Sequence, residues 1–329
     1  MKLSIHRYVM SLLTLGATVT VPATTANLGP GFDCLGAALQ LYNHFRFIRL
    51  DDESAGIAKI RAVGRDAESI SCDRDNLAYR AFSHLFEHVG RPTPAVQIEI
   101  EIGYALGRGL GSSATAIVAG LLGANALAEN PLTRAQVLDL AIALEGHPDN
   151  VVPAMLGGFH LAVPDGDRWE ICPLAWHESV LPVVVIPDFQ MSTHEARAAL
   201  PAQYDRADAI FNVGRLGLLL QGLATGRRDW IRVGMEDKLH QPYRFPLIRG
   251  VEPVIAALKE AGAYGIAISG AGATLLALCE ADRTIANHMS AAAIAAWRDA
   301  GVAASAFGIA LDKTGAQLAS SLSPQGNET

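Results

Sequence analysis

Three glycines in five positions, Gly107, Gly109 and Gly111, place the strongest constraint on this chain. They follow the segment VQIEIEI at 96–102, whose alternation of apolar and polar residues predicts a β-strand. They precede an alanine-rich apolar run at 113–130 that predicts a helix. Across a strand, loop and helix of this order, backbone N–H groups can converge on one point, where the helix dipole adds positive potential. The sequence therefore predicts an anion-binding loop.

The spacing of this loop departs from two common nucleotide-binding templates. A P-loop requires a lysine directly before its hydroxyl residue, and the segment GRGLGSSAT contains none. A dinucleotide fingerprint requires G-x-G-x-x-G with an acidic residue about 20 residues later, whereas this loop is G-x-G-x-G. Taken alone, it also fits a glycine turn that only lets a helix pack closely.

Composition restricts the class of protein. The chain has 329 residues, half of them apolar, which suits two domains or one large α/β unit. Its net charge of −7 offers no basic surface for nucleic acid, so we expect no nucleic-acid partner. Its four cysteines lie far apart, without the spacing of a disulfide framework or a zinc site, which favours a cytoplasmic location. No apolar run reaches the roughly 18 residues of a membrane span, so no membrane partner is expected.

Helical and strand patterns alternate along the chain, which predicts an α+β or α/β sandwich. Residues 1–14 are interpreted as an extension, with Met10 as an alternative start to Met1, and 317–329 as a frayed polar tail. Strands are predicted at 17–23, 32–43, 44–50, 57–63, 96–102, 157–163, 172–176, 181–187, 264–269, 274–280 and 302–309. Helices are predicted at 76–90, 113–130, 134–146, 193–200, 206–225, 251–262 and 283–299.

Two further segments change the interpretation of the loop. They are VPATTANLGPGFD at 21–33 and SGAGAT at 269–274, and with the glycine loop they resemble the three motifs of the GHMP small-molecule kinases. That superfamily includes galactokinases, homoserine kinases, mevalonate kinases and phosphomevalonate kinases. EGHPDN at 145–150, T-x-E-A-R at 193–197 and H-x-x-Y-R at 240–244 resemble the homoserine kinases in particular.

This resemblance covers the chain from about Thr18 to Gly308, with small departures. Ala105 stands where the family usually has proline, and Ala271 and Ala273 stand in a motif that is more often SGSGPT. We expect only a less rigid entrance to the loop from the first of these.

The resemblance implies an α+β fold of two domains. The first, at 15–175, would be an ATP-binding domain of the ribosomal S5 domain 2-like α/β type, and the second, at 176–316, a ferredoxin-like α+β domain. It also implies transfer of the γ-phosphoryl of ATP, with Mg²⁺, to the hydroxyl of L-homoserine in threonine biosynthesis, and a possible homodimer. A mevalonate- or sugar-type kinase, or a catalytically silent ligand-binding member of the superfamily, remains an alternative.

The same resemblance assigns the nucleotide and metal residues. Ser113 and Glu145 offer the hard oxygen ligands that Mg²⁺ takes beside phosphate oxygens, and Ser112 is a possible third ligand. The predicted ATP contacts are Asn76, Leu77, Leu106, Gly107, Arg108, Gly109, Leu110, Gly111, Ser112, Ser113, Ala114 and Thr115.

For the substrate, the resemblance implies that two arginines take the carboxylate, a task that suits a planar guanidinium. Asp33 or Asp149 would take the ammonium, and whether Asp149 is instead a general base stays open, although we favour a mechanism without a dedicated base. The predicted substrate residues are Asn27, Asp33, His147, Asp149, Thr193, Arg197, Arg244 and Gly270. The predicted catalytic residues are Asn27, Asp149, Asn150 and Arg197.

Overall fold

The computed structural model describes residues 13–50 and 56–324, which form two β-sheets with helices packed on them. The larger sheet contains β1 (Leu13–Ala26), β2 (Leu35–Arg49), β3 (Ala58–Gly64), β4 (Val96–Ile102), β5 (Phe159–Asp165), β6 (Arg168–Leu174) and β11 (Gln317–Pro324). Its helices are α1 (Leu77–His88), α2 (Ser112–Leu127), α3 (Arg134–Glu145) and α4 (Pro148–Leu156), with a short 3₁₀ turn at Ala67–Ser69.

The smaller sheet contains β7 (Val180–Pro187), β8 (Gly265–Ile268), β9 (Leu275–Glu280) and β10 (Ala304–Gly308). The helices of this half are α5 (Thr193–Ala198), α6 (Arg206–Thr225), α7 (Arg228–Gly234), α8 (Gln241–Arg244), α9 (Val251–Glu260) and α10 (Arg283–Asp299), with a 3₁₀ turn at Phe245–Leu247.

Strand β2 is the centre of the larger sheet, whose main path runs β11-β1-β2-β4-β3. The far end of β2 pairs with β4, while its first residues pair with β5, which continues to β6. Strands β3 and β4 are parallel because helix α1 lies between them in the chain as a crossover.

Local sequence sets where the helices of this half begin and end. The side chain of Asn76, rather than the neighbouring Asp75, caps α1 by accepting hydrogen bonds from the backbone of Ala78 and Tyr79. Thr133 and Gln136 form a capping box at the start of α3, and Gly146 ends that helix in the left-handed conformation. The predicted bounds of α3 are therefore confirmed.

Helix α2 is buried along almost its whole length, as expected for a helix that is apolar on every side. Glycines let it approach its neighbours: Gly120 lies against the backbone of α1, and Gly123 against the ring of Phe47. The helix that begins at the glycine loop is thus fixed by the core of the larger sheet.

The smaller sheet has the order β10-β7-β9-β8, with all neighbours antiparallel. In chain order its strands therefore lie 4-1-3-2, with helices after the first and third strands, which is the ferredoxin-like arrangement. The α+β fold class is confirmed.

Strand β7 is buried on both faces and so joins two cores. Val183 and Val185 pack with Trp297 of α10, whereas Val184 and Ile186 belong to a cluster that includes Leu28 from the loop after β1. Because this second cluster draws residues from both sheets, it fixes the two halves against each other.

The structure corrects several sequence predictions. The tail predicted at 317–329 is wrong for Gln317–Pro324, which form β11 on the free edge of β1, since backbone pairing there requires no apolar side chains. That pairing also draws Leu13 and Thr14, predicted as extension, into β1. The segments 32–43 and 44–50, predicted as two strands, contribute to one strand, β2, which runs without a break from Leu35 to Arg49.

Three of the predictions about the chain remain open. The choice between Met1 and Met10 falls outside the described residues, and the domain limits at 175 and 316 stay predictions.

None of the helices within 13–50 and 56–324 is long and apolar enough to cross a membrane.

We predict that Gly36→Ala destabilises the protein, because a methyl group there would overlap the backbone carbonyl of Asp149 in the first turn of α4. Overpacking against backbone costs about 1–3 kcal/mol, which urea unfolding would measure as a lower midpoint.

Gly214→Ala is the matched control. Gly214 is exposed on α6 with open space around it, so alanine should raise the free energy of unfolding by about 0.5–1 kcal/mol through helix propensity. Equal stability of the two variants would contradict the close contact between β2 and α4.

Candidate active site

The glycine loop adopts a backbone that side chains disfavour. Gly107, Gly109 and Gly111 have φ values of 66°, 85° and 69°, in the left-handed region. A Cβ atom at Gly109 would collide with the backbone carbonyl of Ser269, from the loop after β8. Glycine is therefore required at this position both for conformation and for contact.

The loop is held by backbone and hydroxyl groups of the C-terminal half. The Ser269 hydroxyl donates to the carbonyl of Gly109 at 2.6 Å, and the Thr274 N–H donates to the carbonyl of Arg108 at 3.1 Å. The carbonyl oxygens of Arg108 and Gly109 therefore have hydrogen-bond donors from the protein itself.

The side chain of Arg108 points away from the centre of the loop. Its guanidinium donates to Asp66 at 2.5 Å and to the Asp188 carbonyl at 3.1 Å. Burial tends to raise the pKa of the Asp66 carboxyl, but hydrogen bonds from Arg108 and from the Leu106 N–H hold it below its usual value. The side chain of Arg108 therefore stabilises the shape of the loop, and Arg108 is not among the residues that line the cleft.

Ser113 and Glu145 lie together at the start of α2 and the end of α3. The Ser113 hydroxyl donates to Glu145 Oε2 at 2.7 Å, and burial raises the pKa of the Glu145 carboxyl. One carboxylate and one hydroxyl fit Mg²⁺, which usually keeps waters and phosphate oxygens as its other ligands. Within 13–50 and 56–324 no cluster of three or more His, Cys, Asp or Glu residues could hold a metal without such help.

A buried polar chain begins at His147, the residue before α4. His147 Nδ1 lies 2.6 Å from Asp149 Oδ1, and the same carboxylate oxygen accepts from the Asn150 amide at 3.2 Å. The Asn150 carbonyl oxygen accepts from the Thr24 hydroxyl at 2.8 Å. The hydrogen bond to Asp149 raises the pKa of His147, more than burial lowers it.

Asn27 connects the turn after β1 to the loop after β8. Its φ is 75°, a left-handed conformation that asparagine tolerates. Its amide donates to the Gly270 carbonyl at 2.6 Å, and its oxygen accepts from the Asp33 N–H at 2.9 Å.

Two arginines close the other end of the cleft. Arg197 donates two hydrogen bonds of 2.9 Å to the carboxylate of Asp33, which raises the pKa of the guanidinium. Arg244 is 2% exposed and donates to the carbonyls of Ala196 and Gly270, and burial lowers its pKa. Both guanidinium groups lie over the ring of Phe32, at 5.8 Å for Arg197 and 4.8 Å for Arg244.

The cleft between the two halves, of about 420 Å³, brings most of the predicted site residues together. An adjoining cavity of about 310 Å³ shares Leu77, Ser112 and Ser113 with it. The predicted site residues that line the cleft are Asn27, Asp33, Leu77, Gly107, Gly109, Gly111, Ser112, Ser113, Glu145, His147, Asp149, Asn150, Thr193, Arg197, Arg244 and Gly270.

The remaining predicted ATP residues lie nearby but outside the cleft lining. Asn76 and Leu106 line the adjoining cavity. Leu110, Ala114 and Thr115 are at most 1% exposed, so their side chains serve the core.

Sequence patterns missed several residues of the site. Thr24 and Phe32 lie in the motif at 21–33 but were not singled out as site residues, although Thr24 bonds to Asn150 and Phe32 is the ring beneath the two arginines. Arg80 and Met191 also line the cleft, and neither lies in a segment that the motifs mark. For Arg80, the signal available was its helical spacing of four residues from Asn76.

Comparison with known proteins gives a consistent result. The family model for the GHMP kinases N terminal domain matches residues 76–158, and the model for the GHMP kinases C terminal matches 219–299. The homoserine kinase of Microchaete diplosiphon is 56% identical over 299 residues, which cover 91% of this chain and 96% of that protein. The homoserine kinase of Trichodesmium erythraeum is 53% identical, with coverage of 91% and 97%.

Solved structures agree. A homoserine kinase from Cytophaga hutchinsonii is 27% identical, with a TM-score of 0.83 and coverage of 92% of this chain and 97% of that one. A mevalonate kinase from L. major is 16% identical, with a TM-score of 0.63 and coverage of 90% and 95%, and this likeness concerns the fold alone.

We predict that Asp149→Asn lowers the pKa of His147, because the carboxylate is the main cause of the raised value. The His147 contribution to folding should be fully present below pH 6.5, the ordinary value, and be lost as the pH rises through the folded pKa.

Titration of the His147 ring by NMR would measure this shift. Asp139→Asn, which changes an exposed acid on α3, is the control and should leave the titration unchanged. A His147 pKa that is the same in wild type and Asp149→Asn would refute the pairing.

Proposed function

Since this chain belongs to the homoserine kinases, a family of the GHMP kinases, we propose that its cleft phosphorylates L-homoserine with ATP and yields O-phospho-L-homoserine. The observation that carries this proposal is the polarity of the cleft. The glycine loop lies at one end, and at the other lie Asp33, paired with Arg197, and the nearby Arg244. The first end suits the phosphates of ATP, and the second suits a small zwitterion.

Substrate binding exchanges ion-pair partners. Asp33 occupies the two donors of Arg197 as a substrate carboxylate would. We infer that the homoserine carboxylate takes the place of Asp33 on Arg197, with Arg244 beside it. Asp33 is then free to accept a hydrogen bond from the ammonium. A substrate with only the carboxylate or only the ammonium would leave either Asp33 or the two arginines without a partner, which is costly in a closed site.

The reacting hydroxyl belongs near Asn27, Asp149 and Asn150, between the two ends of the cleft. Asp149 already accepts hydrogen bonds from two neighbours, which suits a group that holds a substrate in place. Phosphoryl transfer has a loose transition state, so positioning and charge neutralisation can supply most of the rate. We therefore assign Asn27 and Asn150 to orientation of the hydroxyl and Asp149 to substrate binding, without a dedicated base.

Ser113 and Glu145 are the proposed residues for Mg²⁺. The ion would neutralise charge on the β- and γ-phosphates and hold them in a reactive orientation. Burial raises the pKa of Glu145, which means that its ionised form is costly without a positive partner. A cation beside this carboxylate would stabilise the ionised form, which favours the metal-binding role. The proposed dimer and the absence of a nucleic-acid partner rest on family resemblance and net charge.

A substrate panel with MgATP tests the proposal. We predict ADP release with L-homoserine, together with O-phosphohomoserine, and at least tenfold lower kcat/KM with D-homoserine, mevalonate or galactose. Turnover of mevalonate or galactose alone would keep the superfamily but replace the substrate. Loss of turnover with every alcohol, while ligands still bind, would indicate a silent binding member.

We predict that Asp149→Ala raises KM for L-homoserine about tenfold or more and spares kcat, since the carboxylate acts by binding. Steady-state kinetics at saturating MgATP would measure both constants. Asp139→Ala, at an exposed position on α3, is the control. A collapse of kcat with unchanged KM would contradict this role and favour a general base.

A further inference from the structure

The cleft contains a third arginine, Arg80, that the proposed function does not use. Asp33 holds Arg197, and backbone carbonyls hold Arg244, both at the substrate end. Arg80 lies at the nucleotide end, on α1, and its side chain makes no hydrogen bond or ion pair with any residue of 13–50 and 56–324, although its backbone N–H donates to Asn76 within the helix. Its charge is therefore available to a ligand.

The position of Arg80 follows from the helix that carries it. Leu77 and Arg80 are three residues apart, on one face of α1, and both line the cleft. Arg80 also lies beside Ile117 of α2 and Leu144 of α3 in a neighbouring hollow. Ile117 is one helical turn beyond Ser113, and Leu144 precedes Glu145, and all four line the cleft with Arg80, so Arg80 lies on the same side of the cleft as the proposed metal-binding pair.

Charge in this region is otherwise unfavourable to a nucleotide. The glycine loop has no lysine, the Arg108 side chain bonds to Asp66, and Glu145 adds a negative group. ATP brings several negative charges, and one Mg²⁺ compensates only part of them. Guanidinium groups bind phosphate by paired hydrogen bonds and stabilise the charge of a transferring phosphoryl group.

We propose that Arg80 binds the β- and γ-phosphates of the nucleotide and supplies the cationic contact that a lysine supplies in P-loops. This inference rests on the proposed function, because it requires a triphosphate in the cleft. The adjoining cavity past Leu77 would then hold the base, and the phosphates would pass between the glycine loop and Arg80.

Binding measurements on Arg80→Met test the contact without relying on turnover. Titration calorimetry without homoserine should show at least tenfold weaker binding of MgATP and MgADP, and adenosine affinity within twofold of wild type. Arg80→Lys should fall between, because an ammonium keeps the charge but not the paired geometry. The MgATP affinity of Arg80→Met should also depend less on salt concentration.

Arg74→Met is the matched control. Arg74 precedes α1, lies in the same neighbouring hollow and does not line the cleft, so its loss changes the local charge equally. Its MgATP affinity should stay within twofold of wild type.

Three results would overturn the inference. The first is an Arg80→Met affinity for MgATP equal to that of wild type, and the second is an equal loss in Arg74→Met. The third is a matching loss of adenosine binding, which would indicate disturbance of the base cavity. If the wild-type protein binds MgATP, each of these results overturns the Arg80 contact and leaves the proposed function standing. If the wild-type protein binds no MgATP, both the Arg80 contact and the proposed function are refuted.

Discussion

The hydrogen bond from the Ser269 hydroxyl to the carbonyl of Gly109 is the contact on which the site depends. It joins the glycine loop to the loop after β8, and the same hydroxyl bonds to Thr25 at the end of β1. Three segments that are far apart in sequence thus meet at one serine. The contact requires a glycine at 109, because any side chain there would push Ser269 away.

The packing around the Ser269–Gly109 contact determines where the parts of the site lie. Helix α2 is packed into the core of the larger sheet, and the apolar cluster with Leu28 joins the two halves. This packing holds the glycine loop and the two arginines at opposite ends of one cleft. Several polar groups that line the cleft bond to one another, as in the pair of Asp33 and Arg197 and in the chain from His147 through Asp149 to Asn150.

Local sequence predicted much of this arrangement. The strand before the loop, the helix after it, and the capping box of α3 depend on neighbouring residues, and their type was predictable from pattern. The resemblance placed Asn27, Asp33, Asp149, Arg197 and Arg244 in one site, and the structure brings them together in the cleft.

Features that depend on distant contacts were not predictable. Strand β11 is polar and exists through backbone pairing with β1, some 300 residues away. Arg108 was predicted as an ATP contact, but its side chain bonds to Asp66, a partner from a loop without any motif. Arg80 was missed because an exposed arginine on a helix is usually a solvated charge.

We expect the cleft to exchange the Asp33–Arg197 pair for a bound substrate while the glycine loop holds the phosphates. A crystal structure with L-homoserine and a non-hydrolysable ATP analogue tests it most directly. We predict phosphates against the N–H groups of the loop, the substrate carboxylate on Arg197 and Arg244, and the ammonium on Asp33. An intact Asp33–Arg197 pair with both ligands bound, or a nucleotide outside the loop, would contradict it.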